Sequence, residues 1–220
     1  MANDWLKIIQ QEQVIAVIRA DPKALGKQLA QAMGDGGIRL IEITWNSDRA
    51  PELISELRQA MPDCIIGTGT ILTCEELNSA IANGAQFVFT PHVNSKLIET
   101  ANLQEIPIIP GALSPTEIIT AWQAGASAVK VFPAQAMGGV DYIKSLQGPL
   151  GNIPLIPTGG VTLENAKAFL EAGAIAVGLS SQLFPKSAIA EQNWQAITQR
   201  ALKLKQTIHK KAPLGESLPD

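Results

Sequence analysis

Two charged residues sit in stretches that are otherwise apolar. Lys130 lies within Ala128-Val129-Lys130-Val131-Phe132-Pro133, and Glu42 within Leu40-Ile41-Glu42-Ile43-Thr44. Side chains alternate along a strand, so Lys130 shares a face with Ala128 and Phe132 while Val129 and Val131 take the other. With apolar neighbours on both faces the ammonium is poorly hydrated. That favours the neutral amine, which attacks carbonyl carbon to form a Schiff base. The other reading of the same stretch is a lysine at a strand end whose stem snorkels to water. Glu42 shares its face with Leu40 and Thr44. A carboxylate buried in this way either has its ionised form disfavoured or meets a cation, for which Lys130 and Arg19 are the candidates. An amine and a carboxylate on inward faces of separate strands are also what amine catalysis needs, one to hold the carbonyl covalently and one to move protons.

The elements that must position these residues follow a repeated phrase: a helix-like segment, a glycine, then an apolar run ending in small or polar residues. Asn83-Gly84-Ala85, Ala124-Gly125-Ala126 and Ala172-Gly173-Ala174 each introduce such a run, and Gly34 to Gly37 does the same before residue 38. Glycine just past a helix end takes the left-handed conformation without a Cβ penalty, so each copy predicts a helix-to-strand turn. Helix starts are also marked. Thr73-Cys74-Glu75-Glu76 and Ser114-Pro115-Thr116-Glu117 have capping-box spacing, the second with proline at the first helical position. Thr162 is expected to cap the helix through Glu171, and Asn46, Ser47 or Asp48 the helix after the second strand.

Eight strands are predicted, over 14–19, 38–44, 64–68, 87–90, 107–110, 128–132, 154–158 and 175–178. Strands that alternate with helices pair in parallel, and eight such units predict a closed (β/α)8 TIM barrel. The rival, an open nucleotide-binding sheet, expects Gly-x-Gly-x-x-Gly after the first strand, where this chain has Ala20-Asp21-Pro22-Lys23. A single domain is expected over residues 1–211, ending in a long helix over 187–209 with Trp194 and Ile197 towards the core, then a loose tail over 212–220.

Chemistry in such a barrel sits at the C-terminal ends of the strands. The polar residues there are Arg19, Glu42 with Thr44, Thr68 with Thr70, Thr90, Lys130, Thr158, and Ser180 with Ser181, expected to converge on one rim. Pro157-Thr158-Gly159-Gly160-Val161-Thr162 follows the seventh strand and Gly178-Leu179-Ser180-Ser181 the eighth, where barrels commonly bind phosphate. Glycines let the backbone come close to an anion, and N–H groups at a following helix start suit it.

With 220 residues, 46% of them apolar, the chain can bury one sizeable core. A net charge of -3 and no basic run longer than Lys210-Lys211 speak against a nucleic-acid partner. Cys64, Cys74, His92 and His209 make neither a disulfide framework nor a metal cluster, so no metal is expected. No leader-like or membrane-spanning stretch is seen, and a soluble cytoplasmic protein without a membrane partner is expected.

Taken together, the segments Ile15-Ala16-Val17-Ile18-Arg19, residues 37–44, Ile66-Gly67-Thr68-Gly69-Thr70, Thr90-Pro91-His92, Ile109-Pro110-Gly111, residues 129–134, Gly148-Pro149 and residues 157–161 carry a resemblance. In this order, from about residue 6 to about residue 200, the chain resembles the 2-keto-3-deoxy-6-phosphogluconate (KDPG) aldolase family, whose members include 4-hydroxy-2-oxoglutarate (KHG) aldolases. The resemblance implies a class I lyase that cleaves a 2-keto acid through an imine on Lys130, with Glu42 as acid/base group and no cofactor. It further implies that Thr70 helps to hold pyruvate, that Pro91 and Thr158 line the site, and that Gly159, Gly160, Ser180 and Ser181 hold phosphate. A homotrimer is implied as well. Two positions depart from the family pattern. Asn46 stands where many members have a carboxylate-binding arginine, for which Arg19 is the replacement, and Ser180 stands where glycine is common.

Overall fold

The computed structural model describes residues 2–209. Helix α1 (Ala2–Glu12) leads into β1 (Val14–Ile18), α2 (Lys23–Asp35), β2 (Leu40–Thr44), α3 (Ala50–Ala60), β3 (Ile65–Gly69), α4 (Cys74–Ala82), β4 (Val88–Phe89), α5 (Ser95–Leu103) and β5 (Ile108–Ile109). The chain continues through β6 (Gly111–Ala112), α6 (Pro115–Gln123), β7 (Val129–Val131), a 3₁₀ turn (Ala134–Met137), α7 (Val140–Leu150), β8 (Leu155–Pro157), α8 (Ala166–Glu171), β9 (Val177–Leu179), α9 (Lys186–Ala190) and α10 (Trp194–His209). Both expected capping boxes form, Thr73 with Glu76 and Ser114 with Glu117.

Every strand pair is parallel, so this is an α/β fold, and the strands fall into two sheets ordered β5-β4-β3-β2-β1-β9 and β6-β7-β8. That differs from one eight-stranded ladder at two points. The run expected over 107–110 divides at Pro110, which has no N–H to give a ladder, so β5 pairs with β4 and β6 with β7. Between β8 and β9 only an isolated parallel bridge, Thr158 to Gly178, is formed. The terminal helix expected over 187–209 is also interrupted, between α9 and α10, where Gln192 has φ 52°. Ile197 is buried as expected and Trp194 is partly so. The predicted tail over 212–220 lies outside the described residues.

Alternation divides the core into two layers. Outward-facing residues such as Ile41, Ile43, Val129, Val131 and Val177 pack beneath the helices. The inward-facing set, including Leu40, Phe87, Phe89, Ile109, Ala128 and Ile156, forms a separate cluster with Trp5 and Ile9 of α1. Trp5 stacks on Phe87 at 5.1 Å, and Phe87 meets Phe89 edge-on at 5.8 Å. Each large apolar side chain buried there contributes about 1.5–3 kcal/mol. The inward layer at this end of the sheets is therefore carbon, and the buried polar side chains lie towards the other end.

Candidate active site

A cavity of about 600 Å³ opens at the C-terminal ends of the strands. It brings together Lys130, Glu42, Arg19, Thr70, Pro91, Thr158, Gly159, Gly160, Ser180 and Ser181, every residue the sequence singled out for the site. Two members of the expected rim are elsewhere. Thr68 faces the outer layer and donates its hydroxyl to the Ile43 carbonyl at 2.8 Å, while Thr90 donates to the His92 carbonyl at 2.6 Å. Thr70 escapes the parity of Thr68 because its φ is 65°, a left-handed conformation that is an outlier for a β-branched residue. Strain of this kind clusters where a side chain must be aimed.

Lys130 sits in the middle of β7, in register with Gly111 on one side and Ile156 on the other. Its side chain is 7% exposed, and Nζ lies 4.8 Å from the Phe132 ring centroid and 5.6 Å from that of Phe89. The snorkelling alternative is thereby set aside, since the stem ends among aromatic walls inside the cavity.

Glu42 is 1% exposed, and burial pushes its carboxyl above the usual range, with Lys130 and then Arg19 pulling the other way. No ion pair joins it to either cation among the described residues. A carboxyl held in this way accepts a proton more readily than a solvated one. Its place depends on Gly69, the β3 residue in register with Thr44, because a Cβ there would lie 1.7 Å from Glu42 Oε1.

The two loops at the far wall are built for close backbone approach. Gly159 and Gly160 have φ of 83° and 90°, and a Cβ on Gly160 would meet that of Gln135 at 2.2 Å. The N–H groups of Gly160, Val161, Ser181 and Gln182 have no protein acceptor among the described residues. No helix start contributes at the first loop. Thr162 accepts from the N–H groups of Glu164 and Asn165, closing a turn, and α8 begins only after Asn165. The second loop is held from outside by Arg200, whose Nε and Nη2 donate to the Gln182 carbonyl at 3.0 and 2.8 Å.

Asn46 is exposed and outside the cavity, whereas Arg19 lines it with no ion pair to a described carboxylate. Ser47 and Asp48 do not cap α3, whose N-cap is Arg49 without a side-chain bond. They reach instead to the loop after β1. Val17, Phe132 and Gln182 also line the cavity without having been expected there. Phe132 shares the face of Lys130 and could have been found by the same alternation. Among the described residues no three His, Cys, Asp or Glu side chains are placed to hold a metal ion, and no helix is long and apolar enough to cross a membrane.

Parallel α/β sheets with a buried amine and carboxylate at the strand ends are suited to imine chemistry on a carbonyl compound. The chain belongs to the KDPG and KHG aldolase family, whose model matches residues 6–200. It is 36% identical to the 2-dehydro-3-deoxy-phosphogluconate aldolase of Haemophilus influenzae, over 86% of this chain and 89% of that protein. It is 31% identical to the KHG/KDPG aldolase of Escherichia coli, over 79% and 81% respectively. The KDPG aldolase of Legionella pneumophila, solved with pyruvate captured as a covalent carbinolamine intermediate, superposes with a TM-score of 0.84 at 30% identity, covering 90% of this chain and 97% of that one.

Proposed function

We propose that this enzyme cleaves 2-dehydro-3-deoxy-6-phosphogluconate reversibly to pyruvate and D-glyceraldehyde 3-phosphate. The observation that carries this reading is the enclosure of Lys130 and Glu42 in one cavity with the Gly159-Gly160 and Ser180-Ser181 loops opposite. Lys130 adds to the C2 ketone and the carbinolamine loses water to give an imine. Glu42, directly or through a water, takes the C4 hydroxyl proton, the C3–C4 bond breaks, and the aldehyde leaves. The electron pair rests on the imine as an enamine, which is protonated at C3 and then hydrolysed to pyruvate and free Lys130. The protonated imine is the electron sink, so the reaction requires no cofactor.

Arg19 is assigned to the substrate carboxylate, Thr70 to the pyruvate moiety, with Pro91 and Thr158 as walls. The unpaired N–H groups of the two glycine- and serine-rich loops support their assignment to phosphate. We read the two sheets as one closed (β/α)8 barrel, since Thr158 bridges to Gly178 on one side and β5 runs into β6 on the other. Family resemblance supports a cytoplasmic homotrimer, which sedimentation equilibrium tests directly.

The competing substrate is 4-hydroxy-2-oxoglutarate, which has no phosphate and yields glyoxylate with pyruvate. Pyruvate release measured with both substrates distinguishes them. The proposal expects kcat/KM to favour the phosphorylated substrate, and a preference for 4-hydroxy-2-oxoglutarate contradicts it. A non-catalytic sugar-phosphate-binding barrel, the reading from another class, releases pyruvate from neither.

A further inference from the structure

Arg19 is placed in the cavity by its backbone alone, between Ile18 and Ala20, both buried. The loop that carries it is tied to the loop after β2 by three bonds. The Ala20 N–H donates to Ser47 Oγ at 3.2 Å, the Asp48 N–H donates to the Ala20 carbonyl at 2.9 Å, and the Lys23 N–H donates to Asp48 Oδ2 at 2.8 Å.

Ser47 is 8% exposed and does not line the cavity. Its oxygen receives the Ala20 N–H, so its own proton needs an acceptor. The one within reach among the described residues is Thr44 Oγ1 at 3.2 Å. Either hydroxyl can give the proton of that bond, and in both directions it ties Ser47, and with it the loop that carries Arg19, to Thr44. Thr44 lies on the inward face two residues beyond Glu42 and lines the cavity with Arg19. The hydrogen-bonded chain therefore runs from the Ala20 N–H through Ser47 to Thr44 at the cavity wall.

We infer that Ser47 is a positioning residue for the keto acid carboxylate: its hydroxyl ties the loop that carries Arg19 to Thr44 on the cavity wall. The inference rests on the aldolase reading and on Arg19 as the carboxylate partner. It explains why a buried serine stands beside a helix that it does not cap.

The test titrates pyruvate against the folded enzyme with borohydride present and reads the mass of the Lys130 adduct. Acetone, a ketone without a carboxylate, serves as the parallel probe. For Ser47→Ala the half-saturating pyruvate concentration is expected to rise about tenfold, as for loss of one hydrogen bond to a charged group. Adduct formation at saturating pyruvate and the acetone titration stay at the wild-type level. Ser47→Thr, which keeps the hydroxyl, restores tight pyruvate capture. Thr44→Val gives the same selective loss and tests the idea independently should Ser47→Ala fail to fold. A wild-type pyruvate titration in Ser47→Ala, or equal losses for pyruvate and acetone, overturns the inference. Absence of an adduct in the wild-type protein overturns the aldolase reading itself.

Discussion

Two cavities of nearly equal size lie at opposite ends of the strands, about 610 Å³ at the N-terminal end and about 600 Å³ at the C-terminal end. The first is bordered by Trp5 and Ile8 of α1, Ile65, Ile106 and Pro107, with Gln86, Asn102, Glu105 and Ser127 as its polar members. The second holds Lys130, Glu42 and Arg19 with two loops of unpaired N–H groups. Volume is the same and chemistry is not. At the first end every inward position is filled by carbon, so that end contributes stability. At the second, a buried carboxylate and amine are kept without an ion pair between them, at a cost in stability that the apolar end offsets.

Substitutions at the two ends should therefore affect different observables. The largest expected effect is from Glu42→Gln, which should lower kcat by about 10²- to 10⁴-fold while pyruvate still forms the borohydride adduct, as for loss of a general acid/base. Full activity in this variant would remove Glu42 from the mechanism. Gly69→Ala should lower kcat by about 10²-fold, because its Cβ occupies the place of Glu42 Oε1 and the carboxylate must move by an ångström or more. Steady-state kinetics with retained thermal unfolding checks it.

At the other end, Trp5→Ala should cost about 3–5 kcal/mol in stability, measured by urea denaturation. Half-saturation by pyruvate should be unchanged in the protein that remains folded. A change in pyruvate capture would show that the two ends are coupled.

The same comparison predicts a pH dependence. Burial raises the Glu42 carboxyl above its ordinary 4.5, so wild-type stability falls as pH rises through that raised value and the buried group must ionise. Glu42→Gln does not titrate. The variant should melt at a higher temperature than wild type at about pH 8, with the difference vanishing below about pH 4.5, where wild-type Glu42 is neutral. A difference that grows on acidification would contradict this. The smallest effect is expected from Trp5→Phe. The Trp5 Nε1–H is buried with no partner among the described residues, so its removal compensates for the lost ring area and stability should stay within about 1 kcal/mol of wild type.

How much of this was legible depended on whether a residue obeys a period. Lys130 and Glu42 follow strand alternation and were placed correctly by it, as were the capping boxes at Thr73 and Ser114, whose spacing has one common use. Thr68 was misjudged because the left-handed Thr70 breaks the alternation between them, and a threonine does not advertise that conformation. Asn46, Ser47 and Asp48 each suit the cap expected before α3, yet none fills it, because a short polar side chain satisfies either its own helix start or a neighbouring loop and sequence does not choose between the two. Division of the strand at Pro110 follows from its missing N–H. The break near Gln192 carries no glycine or proline to signal it.

In the mechanism proposed above the buried amine of β7 is the nucleophile. Incubation with pyruvate and borohydride, followed by peptide mass mapping, should find the reduced adduct on Lys130 in the wild type and in Glu42→Gln, and nowhere in Lys130→Ala. A folded wild-type protein with no adduct on Lys130, or with the adduct on another lysine, would contradict it.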